Sequence, residues 1–464
     1  MASGLEKRGP LTMGLLWVTM VTAFPTVLIG VEWHKQGFGL AQVVACTLFG
    51  ANLLLLYTVP AALIGAVTGK TFASLASDVF GRKGCHFATI NVFWMFPVFY
   101  GMTALFMADA VTGLFHPPVS MPVLSFIFAL LMCLNNCWGF SGVVNFARYF
   151  AAPCLIVWVF LTFVRAFAGL AAMPGGIEAM LHTPVVAAAI SGASTAAGQA
   201  AAASAEPSWP SAMTVISSFI VGFAAWGNEA DYWRHGQPKV MSTALPVAAA
   251  LLIGEVIFPI TGWMVAQLFH VTDTATATDV LNKFSFGGLS SVACLVIGAQ
   301  YFASQDSNIY GVVSAVDSYV KVPKRIILIA YALVGGAIAV WLSITGLTKS
   351  LEAITSLNCV FLPGTTVIII AEWWLGRYLK SQRSDSREDK LEQPAARIRI
   401  LDDELKAVVP DFRWPAVVAL LCAYTVGVVT SGVVPGTEAF HFGIPFLFAW
   451  LTGVLLYVPL RLWR

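Results

Sequence analysis

The chain has 464 residues, of which 58% are hydrophobic and only 11% are charged. A soluble protein carries about 25% charged residues, so this composition excludes a soluble globular protein and predicts a polytopic membrane protein. The net charge of +2 gives no indication of a nucleic-acid partner, because membrane topology explains the basic residues.

Long apolar runs predict an all-α protein with twelve transmembrane helices. Nearly all of the 26 Lys and Arg residues fall in loops on one side, which predicts a multi-pass protein of the plasma (inner, cytoplasmic) membrane with both termini in the cytoplasm. The predicted spans lie at about 13–33, 41–67, 86–112, 122–141, 149–171, 212–229, 243–269, 286–305, 323–344, 352–376, 414–434 and 441–460. The predicted divisions are a cytoplasmic tail (1–12), a ten-helix transport core (13–376) with an extracellular insert (174–210), a cytoplasmic loop (377–413) and two accessory helices with a short tail (414–464).

Two of these spans contain residues that interrupt a helix. In the first, Pro25 stands between Thr22 and Thr26 and removes a backbone hydrogen bond, which frees main-chain groups halfway across the membrane. The freed carbonyls either coordinate a small cation or mark a simple kink. In the sixth, Gly222 and Gly227 precede a polar last turn. Interrupted spans at corresponding places in two halves of a chain are typical of inverted-repeat transporters with a site at the midplane.

The eighth span turns polar without losing its helical pattern. Gln300, Ser304 and Asn308 recur every four residues and therefore form one stripe along the helix. A polar group left without a partner in hydrocarbon costs about 2–7 kcal/mol, so the stripe must face protein, water or a ligand. It either lines a site within the bundle or ties neighbouring helices together.

Four charged residues are candidates for a gate or a proton path. Glu255 lies deep in the seventh span, where a carboxyl group either carries a proton or is a structural acid. Asp231 and Arg234 follow the sixth span, and Asp306 lies at the inner end of the eighth. We expect Asp306 to pair with Arg234 or Lys239 in a cytoplasmic gate.

Motifs for other membrane functions are missing from the sequence. It has no GxxxxGK[ST] loop, which disfavours an ATP-driven pump, and no HExxH or nucleophile-elbow motif, which disfavours an enzyme. No organic cofactor is expected.

Four stretches in order resemble one transporter family. FGANLLLLYTVPAALIGAVTGKTFASLASDVFGRKG, ADYWRHG, QYFASQDSNIYG and LPGTTVIIIAEWWLGRY are similar to segments of the nucleobase:cation symporter-1 family, most closely of its cytosine permease branch. The resemblance runs from about Thr22 to Tyr378, apart from the extracellular insert. It implies the LeuT-type fold, with two inverted five-helix repeats plus two C-terminal helices, and alternating access around a central site.

The resemblance also implies where a substrate ring binds. An aromatic side chain of the third span stacks on the ring, the sixth span supplies backbone and an aromatic, and amides of the eighth span read the edge of the ring. Helical geometry alone turns Gln305 away from Gln300, so Gln305 is chosen from the resemblance. The implied substrate-binding residues are Phe99, Tyr100, Gly222, Phe223, Trp226, Gln300, Gln305 and Asn308.

A Na⁺ site between the first and eighth spans is implied in the same way. Its candidate ligands are Met20, Ala23, Gln300, Ala303 and Ser304. Ala303 lacks one of the two hydroxyl groups expected there, which weakens the case for sodium and leaves proton coupling through Glu255 as the competing account.

The sequence therefore predicts a secondary-active symporter for a nucleobase or related heterocycle, such as a cytosine-like pyrimidine, a purine or a hydantoin, driven by Na⁺ or H⁺. Its partners would be this small substrate, the coupling cation and the lipid bilayer, and we expect a monomer. The alternatives are an amino-acid or amine carrier of the same fold and a membrane receptor that binds its ligand without transporting it.

Overall fold

The computed structural model describes residues 6–22, 24–176, 178, 207–271, 274–346, 351–388, 409–432, 434–440 and 443–463. This part of the chain is built from helices and their connections. The helices are α1 (Pro10–Val21), α2 (Phe24–Lys35), α3 (Leu40–Thr68), α4 (Phe72–Phe80), α5 (Cys85–Phe115), α6 (Met121–Met132), α7 (Gly139–Phe146), α8 (Ala152–Ala171), α9 (Trp209–Ala224), α10 (Glu229–Trp233), α11 (Val240–Leu251), α12 (Phe258–Phe269), α13 (Thr274–Phe284), α14 (Ser290–Tyr319), α15 (Lys324–Thr345), α16 (Leu351–Glu388), α17 (Trp414–Thr430) and α18 (Pro445–Leu462).

Seven helical stretches in the described residues are long and apolar enough to cross a membrane, and an eighth is counted if α1 and α2 form one bent span. One of the seven, Met121–Ala171, has 51 residues and covers two predicted spans. A continuous α-helix of that length would measure roughly 75 Å, more than twice a hydrocarbon core of about 30 Å, and this stretch is interrupted at Leu134–Trp138 and at Ala147–Ala151. Helices α9 and α17 are shorter, and the polar stripe of α14 lowers its hydropathy. Twelve spans therefore stay a prediction.

Two helices are broken near the middle of the bundle. The axes of α1 and α2 differ by 44°, and Thr22 between them has extended backbone (φ −113°, ψ 108°). Pro25 lies in the first turn of α2, where its missing N–H is tolerated. The second break separates α9 from α10. There Ala225 is extended and Gly227 has a φ of 77°, which favours glycine. Both interruptions occur in the spans where the sequence predicts them.

A further irregular segment, the π turn Leu252–Ile257, joins α11 to α12 and contains Glu255. Beyond it, α12 crosses α2 at very short range. A methyl group on Gly30 would lie 2.8 Å from the Trp263 backbone nitrogen, and one on Gly262 would lie 2.8 Å from the Val27 carbonyl carbon. Because such distances leave no room for a side chain, glycine on both helices brings the two backbones into contact.

One end of the bundle collects basic residues. The Nζ atom of Lys7 donates to the carbonyls of Ala66 (3.0 Å) and Arg234 (2.8 Å), so the tail packs on the end of α3 and on the loop after α10. Arg82 and Lys83 each lie 2.7 Å from the carboxylate of Asp411 and hold the pKa of that carboxyl below its ordinary value.

The predicted connections are only partly covered by the structure. Helix α16 continues to Glu388, so the first residues of the predicted loop 377–413 are helical. Residues 389–408 of that loop and 179–206 of the predicted insert lie outside the described residues.

Candidate functional site

A buried cavity lies where α1, α5, α14 and α16 meet the second helix break. The cavity has a volume of about 30 Å³, which is enough for a water molecule. Side chains must therefore move apart to admit a ring. The cavity is lined by Met20, Phe96, Phe99, Thr103, Phe223, Trp226, Ser304, Gln305, Asn308, Asn358 and Leu362.

Aromatic rings form one side of this cavity. Phe99 meets Phe223 edge to face at 6.3 Å between ring centroids, and Phe96 meets Trp226 in the same way at 5.6 Å. Phe99 and Trp226 keep 9% and 8% of their surface open, while Phe96 is almost completely covered. Phe99, Phe223 and Trp226 were predicted from the sequence, and these three rings provide apolar faces for a planar ligand.

The polar side of the cavity comes from the stripe on α14. The Nδ2 atom of Asn308 donates to Oε1 of Gln305 at 2.7 Å, and Nε2 of Gln305 lies 3.4 Å from the Ser304 hydroxyl. The other oxygen of this group, Oδ1 of Asn308, has no partner among the described residues. A buried acceptor without a partner is costly, so this amide is ready to accept a hydrogen bond from a ligand.

Asn358 on α16 also lines the cavity and was not singled out in the sequence. Its Nδ2 atom donates to the Gly222 carbonyl, and its Oδ1 atom has no partner in the described part of the chain. A single amide within the apolar run TSLNCVFL was the available signal. Two amide oxygens, on α14 and α16, therefore lack partners at this site.

The second helix break is held by side chains. The carboxylate of Glu229 accepts from the backbone N–H groups of Trp226 (2.9 Å) and Gly227 (3.1 Å) and from the Tyr57 hydroxyl (3.0 Å). Thr366 donates to the Gly227 carbonyl. These bonds satisfy backbone groups that the break leaves without helical partners, and they fix the backbone that carries Trp226.

Three of the predicted substrate-binding residues do not line the cavity. The Tyr100 hydroxyl donates to the Ala129 carbonyl, on the side of α5 that packs against α6. Gly222 packs against the backbone of Thr355 and contributes through its carbonyl, which Asn358 binds. Gln300 lies nearer the N-terminus of α14, and its amide donates to the Thr22 carbonyl instead of lining the cavity.

One of the predicted cation ligands, Gln300, contacts the first break. Met20 lines the cavity, Ala303 is buried, and Ala23 lies outside the described residues. Nε2 of Gln300 donates to the Thr22 carbonyl at 2.5 Å. The Ser304 hydroxyl donates to the Tyr301 carbonyl at 3.1 Å.

The predicted ion pair of Asp306 with Arg234 or Lys239 is not formed in the described part of the chain. Asp306 accepts from the side-chain amides of Asn135 (2.9 Å) and Asn136 (3.0 Å), while Arg234 donates to the Tyr310 hydroxyl at 3.0 Å. Amide donors satisfy the buried carboxylate without a counter-ion.

Asp231 links two parts of the same end of the bundle. Its Oδ1 atom accepts from the Phe72 backbone N–H at 2.9 Å, at the start of α4, and from the Ser314 hydroxyl at 3.1 Å. A carboxylate at the N-terminus of a helix is stabilised by the unpaired N–H groups there. Asp231 therefore joins α4 to α14, and a role in gating stays a prediction.

The described residues that line the cavity carry no formal charge. Flat apolar faces and amide groups suit an uncharged ring with donors and acceptors on its edge. A ligand with an ammonium or carboxylate group would enter this cavity without an opposite charge, which is expensive in a buried site.

The sequence also matches a known protein family. Residues 6–393 fit the profile of the permeases for cytosine/purines, uracil, thiamine and allantoin. The chain belongs to this permease family. No curated protein sequence matches it, so the family assignment rests on the profile.

The fold of this permease is that of solved transporters. It superposes on Mhp1, a nucleobase-cation-symport-1 family transporter, in a closed conformation with bromovinylhydantoin bound, with a TM-score of 0.68, 16% identity and coverage of 99% of this chain and 93% of Mhp1. The inward-facing conformation of Mhp1 gives a TM-score of 0.67 at 15% identity, covering 100% and 93% of the two chains. A Na⁺-coupled sialic acid symporter in a substrate-bound outward-open state gives 0.63 at 13% identity, covering 99% and 91%.

Proposed function

We propose that this permease is a secondary-active symporter that imports a nucleobase or related heterocycle by alternating access, coupled to a cation gradient. The proposal rests on the cavity beside two broken helices, whose described lining combines aromatic rings, two amide oxygens without a described partner and no charged side chain. Membership of the permease family supports the substrate class, and the fold shared with Mhp1 supports the transport mechanism.

In this proposal the substrate ring stacks on Phe99 and Trp226, with Phe223 closing the side. Asn308 and Asn358 would accept hydrogen bonds from the ring through their unpartnered oxygens, and Gln305 would orient Asn308. A ring that lacks a matching donor would leave these buried acceptors unpaired, which is how such a site rejects the wrong substrate.

We further propose the LeuT-type arrangement, in which ten helices form two inverted repeats and two accessory helices follow. The breaks after α1 and after α9 fall at the corresponding places of such repeats. The basic end of the bundle, with Lys7, Arg82, Lys83 and Arg234, would face the cytoplasm together with both termini. We expect the protein to act as a monomer.

The alternatives make different predictions about the ligand. An amino-acid or amine carrier needs a group that balances the charge of its substrate, and the cavity lining has no charged side chain. A receptor would bind its ligand without accumulating it. Uptake into vesicles separates the receptor from the transporter, because only the transporter concentrates the ligand.

The test is uptake of labelled cytosine, uracil, adenine and allantoin by the protein in proteoliposomes. For a transported base, Phe99→Ala should weaken apparent affinity roughly five- to 150-fold, since stacking on an aromatic is worth about 1–3 kcal/mol. Asn308→Ala should weaken it several-fold through a lost hydrogen bond of about 1 kcal/mol.

Two matched variants serve as controls. Phe115→Ala removes an exposed ring from the end of α5, and Asn52→Ala removes an exposed amide from α3. Both should leave uptake unchanged. Unchanged affinity in Phe99→Ala and Asn308→Ala would show that the substrate binds elsewhere, and binding without accumulation would favour the receptor.

A further inference from the structure

The π turn between α11 and α12 holds an acid without partners. Glu255 is fully buried, and neither of its carboxyl oxygens has a hydrogen-bond partner among the residues that the structure describes. Other buried acids of the bundle differ, because Glu229, Asp231 and Asp306 each accept at least two hydrogen bonds. Single π turns inside helices occur frequently at functional sites.

This π turn packs directly on the first helix break. A methyl group on Gly254, next to Glu255, would clash with the Thr22 hydroxyl and lie 2.8 Å from the Val21 carbonyl oxygen. The Thr22 hydroxyl itself has no partner in the described part of the chain. The unpaired acid therefore adjoins the point at which α1 gives way to α2.

Among the described helices that pack against the π turn, none offers Glu255 an opposite charge. Helices α1, α11 and α12 contain no titratable side chain. Helix α3 carries the free thiol Cys46 and Tyr57, whose hydroxyl donates to Glu229. Helix α8 carries the free thiol Cys154 and Arg165, whose guanidinium lies over the Phe284 ring at 4.9 Å. An isolated buried carboxylate costs several kcal/mol, so Glu255 holds a proton in this conformation.

On the other side of the first break, the contact at the expected sodium position is a hydrogen bond. Gln300 directs an amide N–H at the Thr22 carbonyl, one of the main-chain oxygens that the first break exposes. Sodium needs several oxygen ligands directed at it, as do other hard cations. Ala303 supplies no side-chain oxygen, which leaves the Ser304 hydroxyl as the side-chain oxygen of this pair.

We propose that this permease is coupled to a proton carried by Glu255, with the Gln300 amide occupying the place of a sodium ion at the first break. The proposal rests on the transport function proposed above. In the outward-open state the ionised carboxylate takes a proton from water, and the neutral acid is then buried against the break as the carrier closes. In the inward-open state it returns the proton to water, and the Thr22 hydroxyl is an available donor for the carboxylate that forms.

The first experiment compares the driving ions directly. Proteoliposomes containing a pH-sensitive dye are loaded at one pH, and uptake of labelled cytosine, uracil, adenine and allantoin is measured with either a pH gradient or a Na⁺ gradient. A gradient of about one pH unit should give about tenfold accumulation at one proton per substrate. The lumen should become more acidic during uptake, and Na⁺ at equal pH should have no effect.

The second experiment uses Glu255→Gln, which keeps the shape of the neutral acid and removes the proton. Accumulation driven by the pH gradient should fall about tenfold, to the equilibrium level, and acidification of the lumen should disappear. Exchange of labelled for unlabelled base should continue, since it needs no net proton movement. Glu32→Gln is the matched control, because Glu32 is a partly exposed acid 3.4 Å from Lys35, and it should behave as the unmodified protein.

Each other result has a defined meaning. Accumulation driven by Na⁺ at equal pH, or acidification that survives in Glu255→Gln, would overturn the proton proposal while leaving the transporter intact. Failure of the unmodified protein to exchange any of the four bases would instead contradict the transport function, and the proton proposal with it. If Glu255→Gln does not fold, Glu255→Asp should still acidify the lumen with an altered pH profile, and an unaltered profile would count against Glu255.

Discussion

The two broken helices of this permease have very different surroundings. At the second break Glu229 binds two backbone N–H groups, Thr366 binds the Gly227 carbonyl, and Asn358 binds the Gly222 carbonyl. At the first break the contacts described are the Gln300 bond to the Thr22 carbonyl and the close approach of the π turn. Among the described residues, side-chain hydrogen bonds therefore support the backbone of the second break more extensively than that of the first.

Transport by alternating access needs backbone that keeps its conformation and backbone that changes it. The second break holds Trp226 in the cavity wall, and we expect its backbone to keep one conformation through the cycle. The first break borders on the cavity through Met20 and on Glu255 through the π turn. A change of shape at the first break would therefore alter the surroundings of both the cavity and Glu255.

The largest effect is expected from Glu229→Ala. It would leave the N–H groups of Trp226 and Gly227 unpaired, each at a cost of about 1–3 kcal/mol, and thermal melting in detergent should show a large loss of stability. Glu32→Ala removes a partly exposed ion pair and should have little effect. Equal melting temperatures for the two variants would mean that the second break is not held by Glu229.

Gly254→Ala tests the contact between the π turn and the first break. The added methyl group would push against Thr22 and Val21, and overpacking of this kind costs about 1–3 kcal/mol. Net uptake should fall more than ligand binding, because the second break and the cavity amides are untouched. Gly113→Ala, where a methyl group meets no atom within 4 Å, is the control and should be neutral or stabilising.

Asn358→Ala should cost less stability but affect the ligand. It removes one hydrogen bond, worth about 0.5–1.5 kcal/mol, and one unpartnered acceptor from the cavity. Melting temperature and apparent substrate affinity should both fall modestly. A fall in stability with unchanged affinity would restrict Asn358 to a role in supporting the second break.

Replacing a threonine by valine at each break compares the two breaks directly and should have the smallest effects on stability. Thr366→Val removes a bond to the Gly227 carbonyl and should cost about 1 kcal/mol, whereas Thr22→Val removes a hydroxyl without a described partner and should be nearly neutral. Melting curves of the two variants measure the difference. A larger loss in Thr22→Val would show that the first break is the more tightly held of the two.

The sequence predicted the elements of the site that depend on local pattern. The stripe on α14, the proline of the first span and the glycines of the sixth all mark irregular or polar structure, and the cavity lies where they meet. The resemblance to a transporter family added Gln305, which helical spacing alone had turned away from the stripe. In the structure Gln305 lies beside Asn308 and lines the cavity.

The pairing of distant side chains could not be predicted from the sequence. Asn358 and Thr366 bind carbonyls more than a hundred residues away, and Asp306 finds two amides where a basic partner was expected. Local spacing indicates which residues are polar and buried, but the partner of each depends on how the helices pack. The role of Gln300 at Thr22 depends on the same long-range packing.

The glycine contact between α2 and α12 packs these two helices backbone to backbone. Their backbones touch at Gly30 and Gly262, and a 2.6 Å bond between His34 and Gln267 ties them together further along. At the other end of this helix pair, each helix begins next to irregular backbone. The first break precedes α2, and the π turn precedes α12. A tilt of this helix pair would therefore bend the chain at both irregular segments together. One movement would then open a path to the cavity and expose Glu255.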